Sequence, residues 1–269
     1  MPCAERTGGN VIDFLSWPPA AVVAASAALA LLPALLMAFL VSRRSMQGIC
    51  TSFAGAEPAI IGTVSLLFGL FAAFLANDIW SRNQIARQAV IEEGDAIRNL
   101  ARLAEGQDRQ QTATLNAALT DYVVTVREKD WPLMAQGKRS LEVLARVRTI
   151  SNLIVSGPVG QTAGPVVQSK MIDAFTHMRE KRQVRTIMAE NRTFTIKWHA
   201  LILFGFLTQI AITITHLTKV RAMVLAHLVF GLALATCLSI LVLNEFPFSP
   251  LNPISSDPLR TAMESLGRS

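Results

Sequence analysis

The sequence predicts an all-α membrane protein: four transmembrane helices, with a helical domain between the second and the third. Three observations carry that prediction. The chain of 269 residues is 51% hydrophobic and only 16% charged, with a mean hydropathy of +0.39, whereas soluble domains carry about 25% charged residues. Four apolar stretches each reach the roughly 20 residues needed to cross a bilayer. Between them the apolar positions repeat at three and four, and no stretch alternates as a half-buried strand does. Disorder, a disulfide-stapled mini-domain and a collagen-like chain are excluded by the same composition.

Residues 1–58 hold an N-terminal segment and the first span, about Trp17 to Val41, which contains no charge. Pro33 should kink it, which lipid-embedded helices tolerate when neighbours supply hydrogen-bond partners. The run is too long for a cleaved signal peptide, and Ser42-Arg43-Arg44 follows it in place of a small-residue cleavage site. The second span, 59–79, is interrupted only by Asp78, one turn ahead of a candidate partner, Arg82. From Ile79 to Leu103 the only turn former is Gly94, so the span should continue out of the membrane as one long helix. Gly62, Ser65 and Gly69 give it a small-residue stripe, of the kind that lets helices approach closely in lipid.

The domain between spans runs over 80–197. Ala96, Leu100 and Leu103 extend the apolar face of the long helix. Leu115, Ala118, Leu119, Tyr122, Val123 and Val126 mark a second helix, and Leu141, Leu144, Ala145, Ile150, Leu153 and Ile154 a third. Ser156-Gly157-Pro158 through Gly164-Pro165 reads as a loop. Val167, Met171, Ile172, Phe175 and Met178 open a last helix, expected to reach about Met188. The third and fourth spans, Trp198–Leu217 and Met223–Leu243, occupy 198–243, and the Pro- and Ser-rich tail 244–269 should be extended.

The net charge is +6 and the pI near 9.7, values that could mean nucleic acid. Location decides otherwise. The 118 residues Trp80–Lys197 hold 18 Lys+Arg against 12 Asp+Glu, so the whole excess lies in this block. Its basic residues are scattered and it has a single Tyr, without the aromatic interleaving of a nucleic-acid surface. A basic block beside membrane spans is instead retained in the cytoplasm. Arg82, Arg87, Arg98, Arg179, Lys181, Arg182, Arg185, Arg192 and Lys197 flank the spans on that side, against Arg43, Arg44, Lys219 and Arg221 on the other. The block and both termini are therefore expected in the cytoplasm.

No catalytic constellation is legible. P-loop, G-x-G-x-x-G, nucleophile-elbow and H-E-x-x-H patterns are absent, and no enzyme activity, metal or cofactor is expected. Cys3, Cys50 and Cys237 make no C-x-x-C pair and read as free thiols. His199, His216 and His227 fall in or at the ends of spans, where they read as interfacial or hydrogen-bonded helix residues, and His177 lies in the polar block. Glu92 and Glu93 are adjacent, so on a helix they point about 100° apart and do not converge; a solvated face is expected for them. Asn191-Arg192-Thr193 is a glycosylation sequon by letters alone. Arg179, Arg182 and Arg185 recur every three residues. They read first as a solvated, headgroup-facing surface and, functionally, as an anion-attracting wall.

The second span and its continuation resemble the bestrophin anion channels. Phe74, Asn77, Arg82, Ala86 and Arg87 fall on matching positions, Trp80 stands where the family has an aromatic residue, and Pro247-Phe248 follows the fourth span as part of that family's Asn-Pro-Phe-Gly does. The chain is more similar to a bacterial bestrophin-like group, through Trp80, Arg82, Ala86, an acid near Glu93, Tyr122, Trp131-Pro132 and Pro247-Phe248. The departures are Ala73, Leu75, Ile85 and Ser249, and an acidic cluster after Ser249 reduced to Asp257. A calcium site needs several convergent oxygens, so calcium regulation is not carried over.

The resemblance implies a homo-oligomer, a pentamer, around a central pore that conducts inorganic anions and narrows at Leu66, Leu70 and Phe74. Residues four apart lie one above another on a helix face, and an apolar ring can gate by dewetting. A non-conducting membrane scaffold or signalling protein with the same fold is the alternative.

Overall fold

The computed structural model describes residues 18–42, 58–190, 195–217, 219–250 and 253–267. Cys3, Cys50, Arg43, Arg44, Arg192 and the sequon at 191–193 lie outside them. The described residues form helices joined by turns, with no strand among them. In chain order the helices are α1 (Pro19–Ser42), α2 (Pro58–Glu105), α3 (Arg109–Thr125), a π-helical turn (Val126–Asp130), α4 (Trp131–Met134), α5 (Glu142–Val155), α6 (Pro158–Glu190), α7 (Thr195–Thr215), α8 (Val220–Asn244) and α9 (Asp257–Leu266).

Four of these, α1, α2, α7 and α8, are long and apolar enough to cross a membrane. Helix α2 is a single element of 48 residues, which at 1.5 Å per residue is roughly 72 Å long. That is more than twice the hydrocarbon thickness of about 30 Å. Its apolar first half supplies the span and its charged second half belongs to the polar domain, as the missing turn signal after Ile79 predicts. The chain divides into two compact units, 1–77 with 194–243, and 78–193 with 244–269.

In the membrane-spanning unit, α1, α7 and α8 meet at small residues. A side chain on Gly231 of α8 would strike Leu31 of α1 (2.5 Å from Cδ2), and one on Gly205 of α7 would press on Leu234 of α8 at 3.3 Å. Phe68 of α2 meets Phe230 of α8 edge-on at 5.5 Å, and Phe71 of α2 stacks on Phe204 of α7 at 4.9 Å. Pro33 sits inside α1, where it withdraws the hydrogen bond to the Leu29 carbonyl. One residue on, the Ala30 carbonyl accepts the side-chain amide of Gln209 from α7 at 2.6 Å, the neighbour's contribution that a kinked lipid helix requires.

The polar unit has its own core, built from Ile97 and Leu100 of α2, Leu115, Leu119, Tyr122 and Val123 of α3, Ile150 and Ile154 of α5, and Met171, Phe175 and Met178 of α6. Three sequence expectations are corrected here. On α5 the buried face is Val143, Val147, Ile150 and Ile154, while Leu141 and Leu144 are exposed; Ile150 and Ile154 belong equally to both helical rows, so periodicity alone chose the wrong side. The expected loop at 156–165 is mostly helix, broken at the single residue Gly164 (φ 76°). Gly160 lies against the Ile154 carbonyl so closely that a Cβ there would stand 1.8 Å from it. The tail is not wholly extended either, because α9 buries Leu259, Ala262 and Leu266 and starts with Pro258 in its first turn, a position where proline's missing N–H costs nothing.

Candidate functional site

Leu66, Leu70 and Phe74 lie along one side of α2, exposed at 73%, 45% and 56%. The aromatic contacts of α2 are made by Phe68 and Phe71, and Leu75 is buried. At about 100° per residue the centres of these two sets are roughly 135° apart. Within the membrane-spanning unit, the row is therefore the side of α2 turned away from the described residues that pack on it. Gly62, Gly69, Ala73 and Asn77 are exposed on the same side, and among the described residues no atom of another helix comes within 4 Å of where a side chain on Gly62 or Gly69 would begin. In helical phase, the exposed polar residues Ser81, Gln84 and Gln88 continue this side into the second half of α2. Within the polar unit they line an open groove with Glu92 and Lys181.

The three arginines do not form a wall. Each step of three residues falls about 60° short of a full turn, so Arg185 lies roughly 120° around α6 from Arg179. Arg179 is exposed, whereas Arg182 and Arg185 are buried. The expectation of one basic stripe is corrected by that drift. Arg185 donates from Nε and Nη2 to the two oxygens of Glu93 at 2.7 and 3.1 Å, a bidentate pair with both side chains fully buried. Its Nη2 also reaches Asp130 Oδ2 at 3.4 Å, its Nη1 meets the Met134 sulfur, and its guanidinium lies 5.3 Å from the Trp131 ring centre. The Tyr122 hydroxyl donates to Glu93 Oε1 at 2.6 Å. Asp130 accepts the backbone N–H of Ser140 at 2.7 Å and faces Arg182 Nη2 at 3.6 Å. Two carboxylates and two guanidiniums thus neutralise one another inside the domain.

Burial alone would lower the basicity of Arg185; the Glu93 charge and hydrogen bond outweigh it and hold the guanidinium above its usual range. Burial, reinforced by the Glu93 charge, pushes the Tyr122 hydroxyl well up, so it stays a donor. Glu92 behaves otherwise. It is partly exposed, bonded by Lys181 at 2.5 Å and by Gln88 at 2.7 Å, and those bonds lower its carboxyl. The expectation of a solvated face is met by Glu92 and corrected for its neighbour, since Glu93 points the other way into the core.

The remaining motif residues divide by role. Trp131 meets Phe248 edge-to-face, ring centres 5.5 Å apart, so the Trp-Pro and Pro-Phe pairs, distant in sequence, join over the Glu93–Arg185 pair. Pro247 contributes its carbonyl to the Ile254 N–H at 3.2 Å. Arg82 Nη1 lies 3.8 Å from Glu245 Oε1, and Asn83 donates to the carbonyls of Ile79 and Asn244. Ala86 is buried, while Asn77, Trp80 and Arg87 are exposed. The sequence reading missed Asp130 and the pairing of Glu93 with Arg185. Asp130 ends the π-helical turn, whose extra residue shifts the helical phase in a way that periodicity does not announce. Cys237 is a free, partly buried thiol. Among the described residues, no three His, Cys, Asp or Glu side chains gather as a metal would require.

A profile of the bestrophin-like domain matches residues 28–259 of the chain. No curated protein matches it. Among solved structures, it is similar to a bacterial bestrophin homolog from Klebsiella pneumoniae that carries a point mutation. The TM-score is 0.67 at 12% identity, over 91% of this chain and 96% of that one. At that identity the likeness is one of fold.

Proposed function

The chain belongs to the bestrophin-like family, and from that premise we propose that it is a channel for inorganic anions, a homo-oligomer whose α2 helices surround a pore. The observation that carries this reading is the uncovered row Leu66, Leu70 and Phe74. It lies on a transmembrane helix whose other side is packed, and in an oligomer it is available to line a shared axis. Five copies, by resemblance to bestrophins, would make it a stack of apolar rings that gates by dewetting. The uncharged polar side chains Asn77, Ser81, Gln84 and Gln88 would line the approach. Anion attraction falls to the net positive charge of 80–197 and to exposed residues such as Arg179. Arg182 and Arg185 instead hold the polar unit together. We place that unit and both termini in the cytoplasm, on the inner membrane.

The test is anion flux from liposomes containing the purified oligomer. Replacing Leu66, Leu70 and Phe74 together by Ala should raise flux several-fold. Equal, leak-level flux from wild type and variant, both correctly assembled, would overturn the channel reading and favour a scaffold with the same fold.

A further inference from the structure

The helices of the polar unit run alternately in opposite directions, and this decides which of its connections share an end. Helix α3 returns along α2: Thr112 at its start donates to the Ala104 carbonyl at 2.6 Å, and Tyr122 further on reaches Glu93. Helices α5 and α6 are likewise antiparallel. Gln168, early in α6, donates to the carbonyls of Ile154 and Val155 at the end of α5, at 3.0 and 3.1 Å. Arg139, just ahead of α5, pairs with Glu190 at the end of α6 at 3.3 Å. The turn at 135–141 therefore stands at the end of α6 from which the chain continues, five residues later, into the membrane span α7.

This turn is built, and it presents an apolar side chain to the outside. Gly137 reverses the chain at φ 71°, a conformation that favours glycine, and the Lys138 N–H bonds the Leu133 carbonyl at 2.9 Å. The buried Asp130 accepts the Ser140 N–H, and the Ser140 hydroxyl accepts the Glu142 N–H at 3.2 Å. Between those two anchored residues, Leu141 is 74% exposed, and Leu144, one turn on, is 40% exposed. Lys138 and Arg139 are exposed beside it. Glu190 balances Arg139. Glu142 lies in the first turn of α5, where the helix dipole favours an acid. Lys138 makes no ion pair among the described residues.

We propose that the turn 136–141 docks on the bilayer surface, with Leu141 entering the acyl boundary and Lys138 meeting the phosphates of anionic lipid. An apolar side chain next to a basic one is the composition of an interfacial anchor, in which the first supplies buried area and the second a preference for anionic headgroups. Position selects the bilayer as the occupant, because the chain leaves this same end of the unit for a span. The contact would hold the edge of the polar unit to the membrane independently of the spans. This inference does not depend on ion conduction.

The experiment uses full-length protein in nanodiscs, with Cys3, Cys50 and Cys237 replaced by Ser and a single cysteine introduced as Leu141→Cys or Val166→Cys. Val166 is the control, since it is 75% exposed but lies two residues from Gln168, at the opposite end of α6. Each cysteine carries a polarity-sensitive fluorophore, and lipid bearing a nitroxide high on its acyl chain is the quencher. The discs contain phosphatidylcholine with or without phosphatidylglycerol. The label at 141 should be blue-shifted and quenched several-fold more than the label at 166, and more strongly with phosphatidylglycerol. Lys138→Glu should abolish that lipid dependence. Both labelled positions are exposed, so unfolding temperatures should match the parent. A label at 141 as wet and as unquenched as the one at 166 would overturn the docking. So would a label that is blue-shifted yet unquenched, which would mean that a second copy of the chain covers the turn. Quenching indifferent to both phosphatidylglycerol and Lys138→Glu would overturn the part assigned to Lys138.

Discussion

Glu93 accepts two bonds from Arg185 and one from Tyr122, and all three side chains are buried. Removing the charge from one partner of such a pair leaves the other charge buried and uncompensated, which costs about 3–5 kcal/mol. Glu93→Gln should therefore lower the thermal unfolding temperature of the purified protein sharply. Glu92→Gln, which breaks a partly exposed pair with Lys181, should cost about 0–1 kcal/mol. Thermal melts of the two variants side by side check this, and equal losses would mean that the buried network is not what holds the polar unit together. Both residues are acids in one helical run, and nothing local separates them. The difference comes from helical phase: Glu93 shares the side of Val90, Ile97 and Leu100, the buried side of α2.

At the scale of elements, the tail helix α9 depends on one close approach. A Cβ added at Gly94 of α2 would stand 2.9 Å from the Pro258 carbonyl oxygen, a backbone atom that cannot swing aside. Gly94→Ala should push α9 off the domain, at a cost of about 1–3 kcal/mol. Hydrogen exchange should then rise over 257–266 and stay unchanged in α5. Gly106→Ala, with no atom within 4 Å of the new Cβ, is the control and should leave exchange as it is. Elements of this kind mark where the sequence was legible. Spans and long helices announce themselves because lipid and the 3.6-residue period constrain the positions along them, as in α2, α3 and α6 from Val167 onward. Helix α9 has ten residues in a Pro- and Ser-rich setting that masks its signal, for the face it buries, Leu259, Ala262 and Leu266, recurs at three and four. The arginine row failed for a related reason: a spacing of three was read as a stripe, and over six residues the helix turned two of its members inward.

For the whole molecule, the deciding quantity is how many chains assemble. In one copy, Leu66, Leu70 and Phe74 are exposed, and a single row on one helix cannot enclose a path. Lipid could cover it, since bilayer tails are as apolar as leucine, and exposure therefore does not by itself distinguish a pore from a lipid contact. Symmetry does. A closed ring brings the same face of α2 from every copy to the axis, whereas an isologous dimer buries it against its twin and leaves no channel. The mass of the protein–detergent complex, measured by light scattering or native mass spectrometry and confirmed by cross-linking, should correspond to a ring of three or more chains, five by resemblance. A cysteine placed at Leu66 should then cross-link between neighbouring chains, while one at the exposed position Arg179 should not. A monomer or closed dimer in several detergents and in nanodiscs would remove the shared axis, and with it any conducting role for the row. The fold would then stand without the pore.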